Sequence, residues 1–202
     1  NKLLISDSSN NRVLIWDNWP TSNGQAANRV LGQPDCSRRL ATPVSASSLY
    51  GPNGIMWDGT HLAIADANNH RILIWNSFPT TDAQAADLVL GKTAFSSASA
   101  NWGGLSASSL WTPRKVIGDG TNLITSDASN NRILIWSTFP TTNGQAANVV
   151  LGQADFTSNT ANRGTAIAAN TLNSPSGIAL INGDLWVTDS SNNRILKYNG
   201  IP

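Results

Sequence analysis

The stretch Asp7–Trp16, DSSNNRVLIW, decides how the chain is read. An aspartate and an arginine stand five positions apart, with two asparagines just before the arginine and an apolar run after it. Alone, it has the make-up of a small charged site. It returns as DANNHRILIW from Asp66, DASNNRILIW from Asp127 and DSSNNRILKY from Asp189. A catalytic carboxylate is singled out by its partners, so four equivalent copies point to architecture.

The four aspartates are separated by 59, 61 and 62 residues, a period in the range of stacked repeat units. Each precedes the proline of WP, FP, FP or IP (Pro20, Pro79, Pro140, Pro202) by 13 residues. The first three precede Gln33, Lys92 and Gln153 by 26, and the last three follow Pro52, Pro113 and Pro175 by 14. All length variation therefore lies in the linkers 33–52, 92–113 and 153–175. A rigid module alternates with an elastic connection.

Four short apolar runs, a to d, fill the complete module, each bounded by turn residues. Run a is GIMWD, KVIGD or GIALI; run b is LLIS, LAIA, LITS or LWVT. Run c is RVLIW, RILIW, RILIW or RILKY, and run d, after a polar connection, is RVLG, LVLG or VVLG. Short strands joined by tight turns make an antiparallel meander, and so small a sheet must stack on its neighbours. Radial stacking predicts an all-β chain, a β-propeller of four-stranded antiparallel blades with long inter-blade linkers. A β-solenoid is the alternative, but its rungs are usually shorter and lack an internal hairpin.

Composition agrees. The chain has 202 residues, enough for one large domain with a real core. It contains no Glu and few Lys, and is rich in turn and strand formers. The repeat units are approximately 1–60, 61–121, 122–183 and a partial 184–202, within a single propeller domain 1–202. A net charge of +1 argues against a nucleic-acid surface, and no apolar run is long enough to span a bilayer.

PNGIMWDGTHLAIADANNHRILIW and PSGIALINGDLWVTDSSNNRILKY resemble the NHL repeat, whose pattern is P-x-G-I followed by Asp, Asn and Arg or His around a turn. Asn69-His70 keeps two letters of the Asn-His-Leu that names it; the other copies have Asn-Asn. The resemblance covers the modules and not the linkers, and the period here is longer than in ordinary NHL blades. It implies a propeller fold but no single activity, since such propellers serve as scaffolds, ligand binders, RNA binders and occasional lyases.

Asn1 falls just before a b strand and Pro202 just after a c strand, so the chain reads b-c-d, two whole blades, then a-b-c. This predicts an incomplete ring, a window from a larger array, or closure by another chain. A start without Met suggests a processed chain or a fragment.

The Asp–Arg pairs Asp7/Arg12, Asp66/Arg71, Asp127/Arg132 and Asp189/Arg194 are expected to clamp the b–c hairpins. On that reading, Asp66→Ala costs roughly 1 kcal/mol, the scale of a cross-strand charge pair. No catalytic residue, metal site or cofactor is expected. His61 and His70 are unrepeated, whereas a catalytic zinc usually takes three protein ligands. Asp58, Asp119 and Asn182 read as a–b turn residues, and Cys36, in the place of Phe95 and Phe156, as a small apolar filler. Trp16, Trp75, Trp136 and Tyr198 suit packing between blades; Trp19, Phe78, Phe139 and Ile201 suit folding the c–d connection back. Leu49, Leu110 and Leu172 are expected to anchor the linkers.

In a meander the b–c turns and the linkers emerge on one rim, and loops on a rigid scaffold are where binding residues sit. Non-repeating residues there are the binding candidates: Arg38, Arg39, Tyr50, His70, Trp102, Trp111, Arg114 and Arg163, with Asn101 and Asn162 beside them. The expected function is a non-enzymatic binding or scaffold module that recognises a protein or other ligand on this rim. Alternatives are a self-assembling array through the unfinished blades, as a homo-oligomer or with a further chain segment, and a metal-dependent lyase or lactonase. The regular, Lys-poor repeats suggest a bacterial protein that is secreted, periplasmic or on the cell surface.

Overall fold

The computed structural model describes residues 2–40 and 42–201. Asn1, Ala41 and Pro202, the proline that ends the fourth 13-residue spacing, lie outside the described residues.

Four antiparallel sheets stack as blades of a propeller. Blade 1 has β1 (Leu3–Asp7), β2 (Arg12–Trp16) and β3 (Arg29–Leu31). Blade 2 has β4 (Pro52–Trp57), β5 (Leu62–Asp66), β6 (Arg71–Trp75) and β7 (Leu88–Leu90). Blade 3 has β8 (Pro113–Gly118), β9 (Leu123–Asp127), β10 (Arg132–Trp136) and β11 (Val149–Leu151). Blade 4 has β12 (Pro175–Ile181), β13 (Asp184–Asp189) and β14 (Arg194–Tyr198). The inner strands adjoin, β1 beside β4, β4 beside β8 and β8 beside β12, and the sheets do not close into a ring.

Alternation along the strands explains the stacking, because successive side chains point to opposite faces. Leu62, Ile64, Leu73 and Trp75 pack with Val13 and Ile15 between blades 1 and 2. Ala63, Ala65, Ile72 and Ile74 turn the other way and pack with Val116, Leu134 and Trp136 between blades 2 and 3. Ile124, Ile133 and Ile135 meet Leu185 and Val187 between blades 3 and 4. A middle blade buries both faces, so its b and c strands are buried at every position. Gly54 lets two inner strands approach, because a Cβ there would sit 2.7 Å from the Lys115 Cα.

The outer strands are edges, and unpaired edges invite aggregation. In blades 1 and 2 the c–d connection of the next blade covers this edge. Ala83 donates its N–H to the Val30 carbonyl at 2.9 Å, and Gly144 does the same to Val89 at 2.8 Å. Among the described residues, no helix is long and apolar enough to cross a membrane.

Candidate functional site

Each b–c hairpin turns through one short 3-10 segment and a left-handed residue: Asn11 (φ 55°), His70 (54°), Asn131 (53°) or Asn193 (52°). Asn and His are among the residues that tolerate this conformation best. In blade 2 the Asp66 carboxylate accepts from Arg71 Nε (2.7 Å), Asn69 Nδ2 (2.9 Å) and the Tyr50 backbone N–H (2.7 Å). Arg71 also donates to carbonyls on both flanking linkers, Phe95 at 2.5 Å and Ser45 and Ser48 at 2.9 Å. Arg132 repeats this pattern on Phe156, Ser106 and Ser109.

The clamp therefore joins one hairpin to two linkers, a larger role than a cross-strand charge pair. Asp66, Arg71, Asp127 and Arg132 are all fully buried. Burial pushes the Asp66 and Asp127 carboxyls up, opposed by the arginine, backbone and asparagine donors around each. At Asp7, in the more open blade 1, the upward push of burial is outweighed by Asn10 and Arg12 together, and the carboxyl lies below its ordinary value. The expected 1 kcal/mol cost at Asp66 is corrected upward, because removing one partner leaves a buried charge uncompensated.

The left-handed residues also stitch blade to blade. Asn11 Oδ1 accepts the Gly51 N–H at 3.0 Å, and Asn131 Oδ1 accepts the Ser174 N–H at 2.7 Å. His70 substitutes a ring nitrogen, with Nδ1 accepting the Thr112 N–H at 3.2 Å. The linker frame is fixed equally firmly. Leu49, Leu110 and Leu172 are buried, and Gln33 and Gln153 each cross-link a turn carbonyl to a linker carbonyl. Lys92 stands in the place of these glutamines, buried, with Nζ donating to the Ser99 carbonyl. Burial and the nearby Arg71 charge push its pKa down to about 8.

The linkers and b–c turns do share a rim, since the Asn68 N–H donates to the Tyr50 carbonyl at 3.1 Å and the Ser129 N–H to the Trp111 carbonyl at 3.2 Å. On it lies a groove of about 540 Å³ where blades 1, 2 and 3 meet. Tyr50 and Arg114, two of the binding candidates, line it with Ser8, Asn53, Asn68 and Thr112. His70 sits behind its wall through the bond to Thr112, and exposed Trp111 adjoins Thr112 in the chain. Arg114 is exposed and has no carboxylate partner among the described residues.

The other candidates stand apart from this groove. Arg38 pairs with Asp35 at 3.4 Å, and neither it nor Arg39 lines the groove. Arg163 donates to the Gln153 carbonyl at 2.8 Å, holding its own linker. Trp102 is exposed on the second linker, outside the groove lining. Asn101 and Asn162 form two-way amide pairs with Asn130 and Asn192, which makes them linker fasteners.

Two further expectations are corrected. Cys36 is exposed, not a filler; what its position supplies is the carbonyl that accepts from Arg12, the role that Phe95 and Phe156 also play. Trp19 is exposed, whereas Phe78 meets Trp57 edge-on at 4.9 Å and Phe139 stacks on His61 at 3.9 Å. Phe78 folds back onto the a strand of its own blade, and Phe139 onto the a–b turn of the preceding blade. Asp58 and Asp119 cap the a–b turns as expected, accepting the N–H groups of Thr60 and His61 and of Thr121 and Asn122. Among the described residues, no three or more His, Cys, Asp or Glu side chains converge to hold a metal.

Blades of this build, stacked face to face with a variable linker rim, make the chain a β-propeller protein. Its last blade carries an NHL repeat, with residues 172–198 matching that family. No curated protein matches the chain. A solved structure described as a streptogramin B lyase aligns at 15% identity with a TM-score of 0.40, covering all of this chain and 66% of its own. That likeness bears on neither activity nor ligand.

Proposed function

We propose that this protein is a non-enzymatic binding module, and that the rim groove between blades 1, 2 and 3 receives an acidic segment of a partner protein. The observation that carries the reading is the position of Arg114 at the groove, exposed and without a carboxylate partner among the described residues. A guanidinium recognises carboxylates in a two-pronged geometry. Tyr50, Asn53 and Asn68 add an aromatic surface and amide groups suited to a peptide backbone. The repeated aspartates and arginines are engaged in clamping the blades, so the non-repeating groove residues are those free to contact a ligand.

The test is a titration of the protein with a pool of acidic hexapeptides and a neutral pool, followed through backbone amide shifts. Shifts at Tyr50, Asn68, Thr112 and Arg114 with the acidic pool alone, abolished by Arg114→Ala, are expected. Equal response to both pools, or shifts centred away from the groove, refutes the reading.

A further inference from the structure

Outside the groove, the linkers expose side chains that the blades do not use. Single exposed apolar residues are ordinary, so their placing is what matters. Between residues 42 and 166 the exposed large apolar side chains are Tyr50, Trp102 and Trp111, and all three lie on linkers. Leu40 on the first linker and Ile167 on the third extend the set, at 61% and 55% exposed. Leu40, Trp102 and Ile167 stand 7, 10 and 14 residues after Gln33, Lys92 and Gln153, so the repeat does not put them there. Each linker has acquired its apolar tip separately.

Bonds to the b–c turns hold all three tips at the rim. The Leu40 carbonyl accepts from Gln33 Nε2 at 2.7 Å, and the same nitrogen donates to the Asn11 carbonyl at 3.2 Å. Trp102 follows Asn101, which pairs with Asn130 of the blade 3 turn. Ile167 precedes Ala168, whose carbonyl accepts from Arg194 at 2.7 Å. Charge is divided between the rims as well. Outside the four Asp–Arg clamps, Arg38, Arg39, Lys92 and Arg163 on the linkers, with Arg114 and Lys115 on β8, outnumber Asp35 and Asp155. On the rim of a–b turns and c–d connections, Asp17, Asp58, Asp82, Asp87, Asp119 and Asp184 outnumber Lys2, Arg29 and Lys197. The net charge of +1 is the small sum of two opposed rims.

We propose that the linker rim docks on an anionic lipid surface, with Leu40, Trp102 and Ile167 entering the headgroup region and Arg38 and Arg39 facing lipid phosphates. Tryptophan and aliphatic side chains settle at the boundary between headgroups and acyl chains, and nearby cations add attraction to anionic lipids. A folded partner would need a surface matched to three tips at unrelated places on three loops. A fluid headgroup layer accepts them at any spacing. The acidic opposite rim is repelled by the same surface, so charge turns the linkers toward the lipid. The tips stand apart from the groove, so this contact goes beyond the acidic-segment reading and does not rest on it.

Co-sedimentation of the 202-residue chain with vesicles of equal parts phosphatidylcholine and phosphatidylserine, compared with phosphatidylcholine alone, tests the proposal. The expected result is retention on the anionic vesicles alone, weakening as salt rises. Trp102→Ser should weaken it about tenfold, the scale of one inserted apolar side chain. Arg39→Ser should weaken it about fivefold, the scale of one cation near an anionic surface. Trp19 is 59% exposed, more than the 41% of Trp102, but lies on the opposite rim, so Trp19→Ser should leave retention unchanged. No retention on the anionic vesicles overturns the proposal. So does retention that Trp102→Ser and Ile167→Ser both leave intact, or that Trp19→Ser weakens equally. Circular dichroism checks that each variant folds, and Ile167→Ser stands in for Trp102→Ser if the latter does not.

Discussion

Asp66 and Arg71 face each other across the β5–β6 hairpin at 2.7 Å, with neither side chain exposed. The same pair in blade 1, Asp7 and Arg12, also stands at 2.7 Å but keeps a quarter and a sixth of its side-chain surfaces in water. Geometry is shared and burial is not, so the two pairs should respond differently to the same change. Asp66→Ala is expected to cost about 3–5 kcal/mol, the scale for breaking a buried ion pair. Asp7→Ala should cost about 1 kcal/mol, since water can solvate the arginine left behind. Urea unfolding of the two variants measures both, and equal losses would refute the role given to burial.

How far the sequence carried this is clearest at particular residues. The strands were legible because apolar runs, turn residues and fixed spacings all agreed around Asp7, Asp66, Asp127 and Asp189. The reach of Arg71 to Ser45, Ser48 and Phe95 was not, because its acceptors are backbone carbonyls, which any residue type supplies. The inter-blade stitch was hidden for the same reason on its donor side. Its acceptor left a trace: asparagine recurs at 11, 131 and 193, with histidine at 70. Of the rim candidates, Tyr50 and Arg114 converge on one groove while Arg163 and Asn162 fasten a linker. Non-repetition locates a variable surface, but it does not separate a free side chain from one bonded to a unique loop.

The glycine closing each d strand was another signal left unread. Gly91 has φ +86°, and a Cβ there would lie 2.9 Å from Leu110 Cδ1 and 3.0 Å from the His70 carbonyl. Gly120 has a similar φ of +90° with nothing within 4 Å. Gly120→Ala should therefore cost only backbone strain, about 1–2 kcal/mol. Gly91→Ala should cost about 1–3 kcal/mol more, because the linker leucine is displaced as well. Thermal unfolding of the two variants compares them directly, and equal losses would mean the linker yields freely.

His70 gives one blade junction a pH dependence. Its Nδ1 accepts the Thr112 N–H, so that nitrogen must be unprotonated. Burial, with the Lys92 charge nearby, holds the imidazole pKa below its ordinary 6.5. The unfolded chain then takes up the proton more readily than the folded one. The stability from this junction is whole above about pH 6.5 and is lost as pH falls from there toward the lower folded value. His70→Asn supplies the acceptor used at Asn11 and Asn131 without a titrating group. Unfolding free energies measured across mildly acid pH should show a shallower slope in this variant, and an unchanged slope would place the titration elsewhere.

Lys92 titrates on the alkaline side. Burial, with the Arg71 charge nearby, lowers its pKa from 10.5 to about 8, so the folded protein releases this proton before the unfolded chain does. Below about pH 8 both states are charged, and the folded state carries the full cost of burying the ammonium. Stability should rise between pH 8 and 10.5 as the folded state is relieved of that charge. Lys92→Gln restores the amide of Gln33 and Gln153, which bridges two backbone carbonyls in the other linkers. This substitution should raise the unfolding free energy at neutral pH and remove the alkaline rise. Paired denaturation curves at pH 7 and pH 10 check both at once. A variant less stable than the parent at pH 7 would mean that the Ser99 carbonyl compensates the buried ammonium in full.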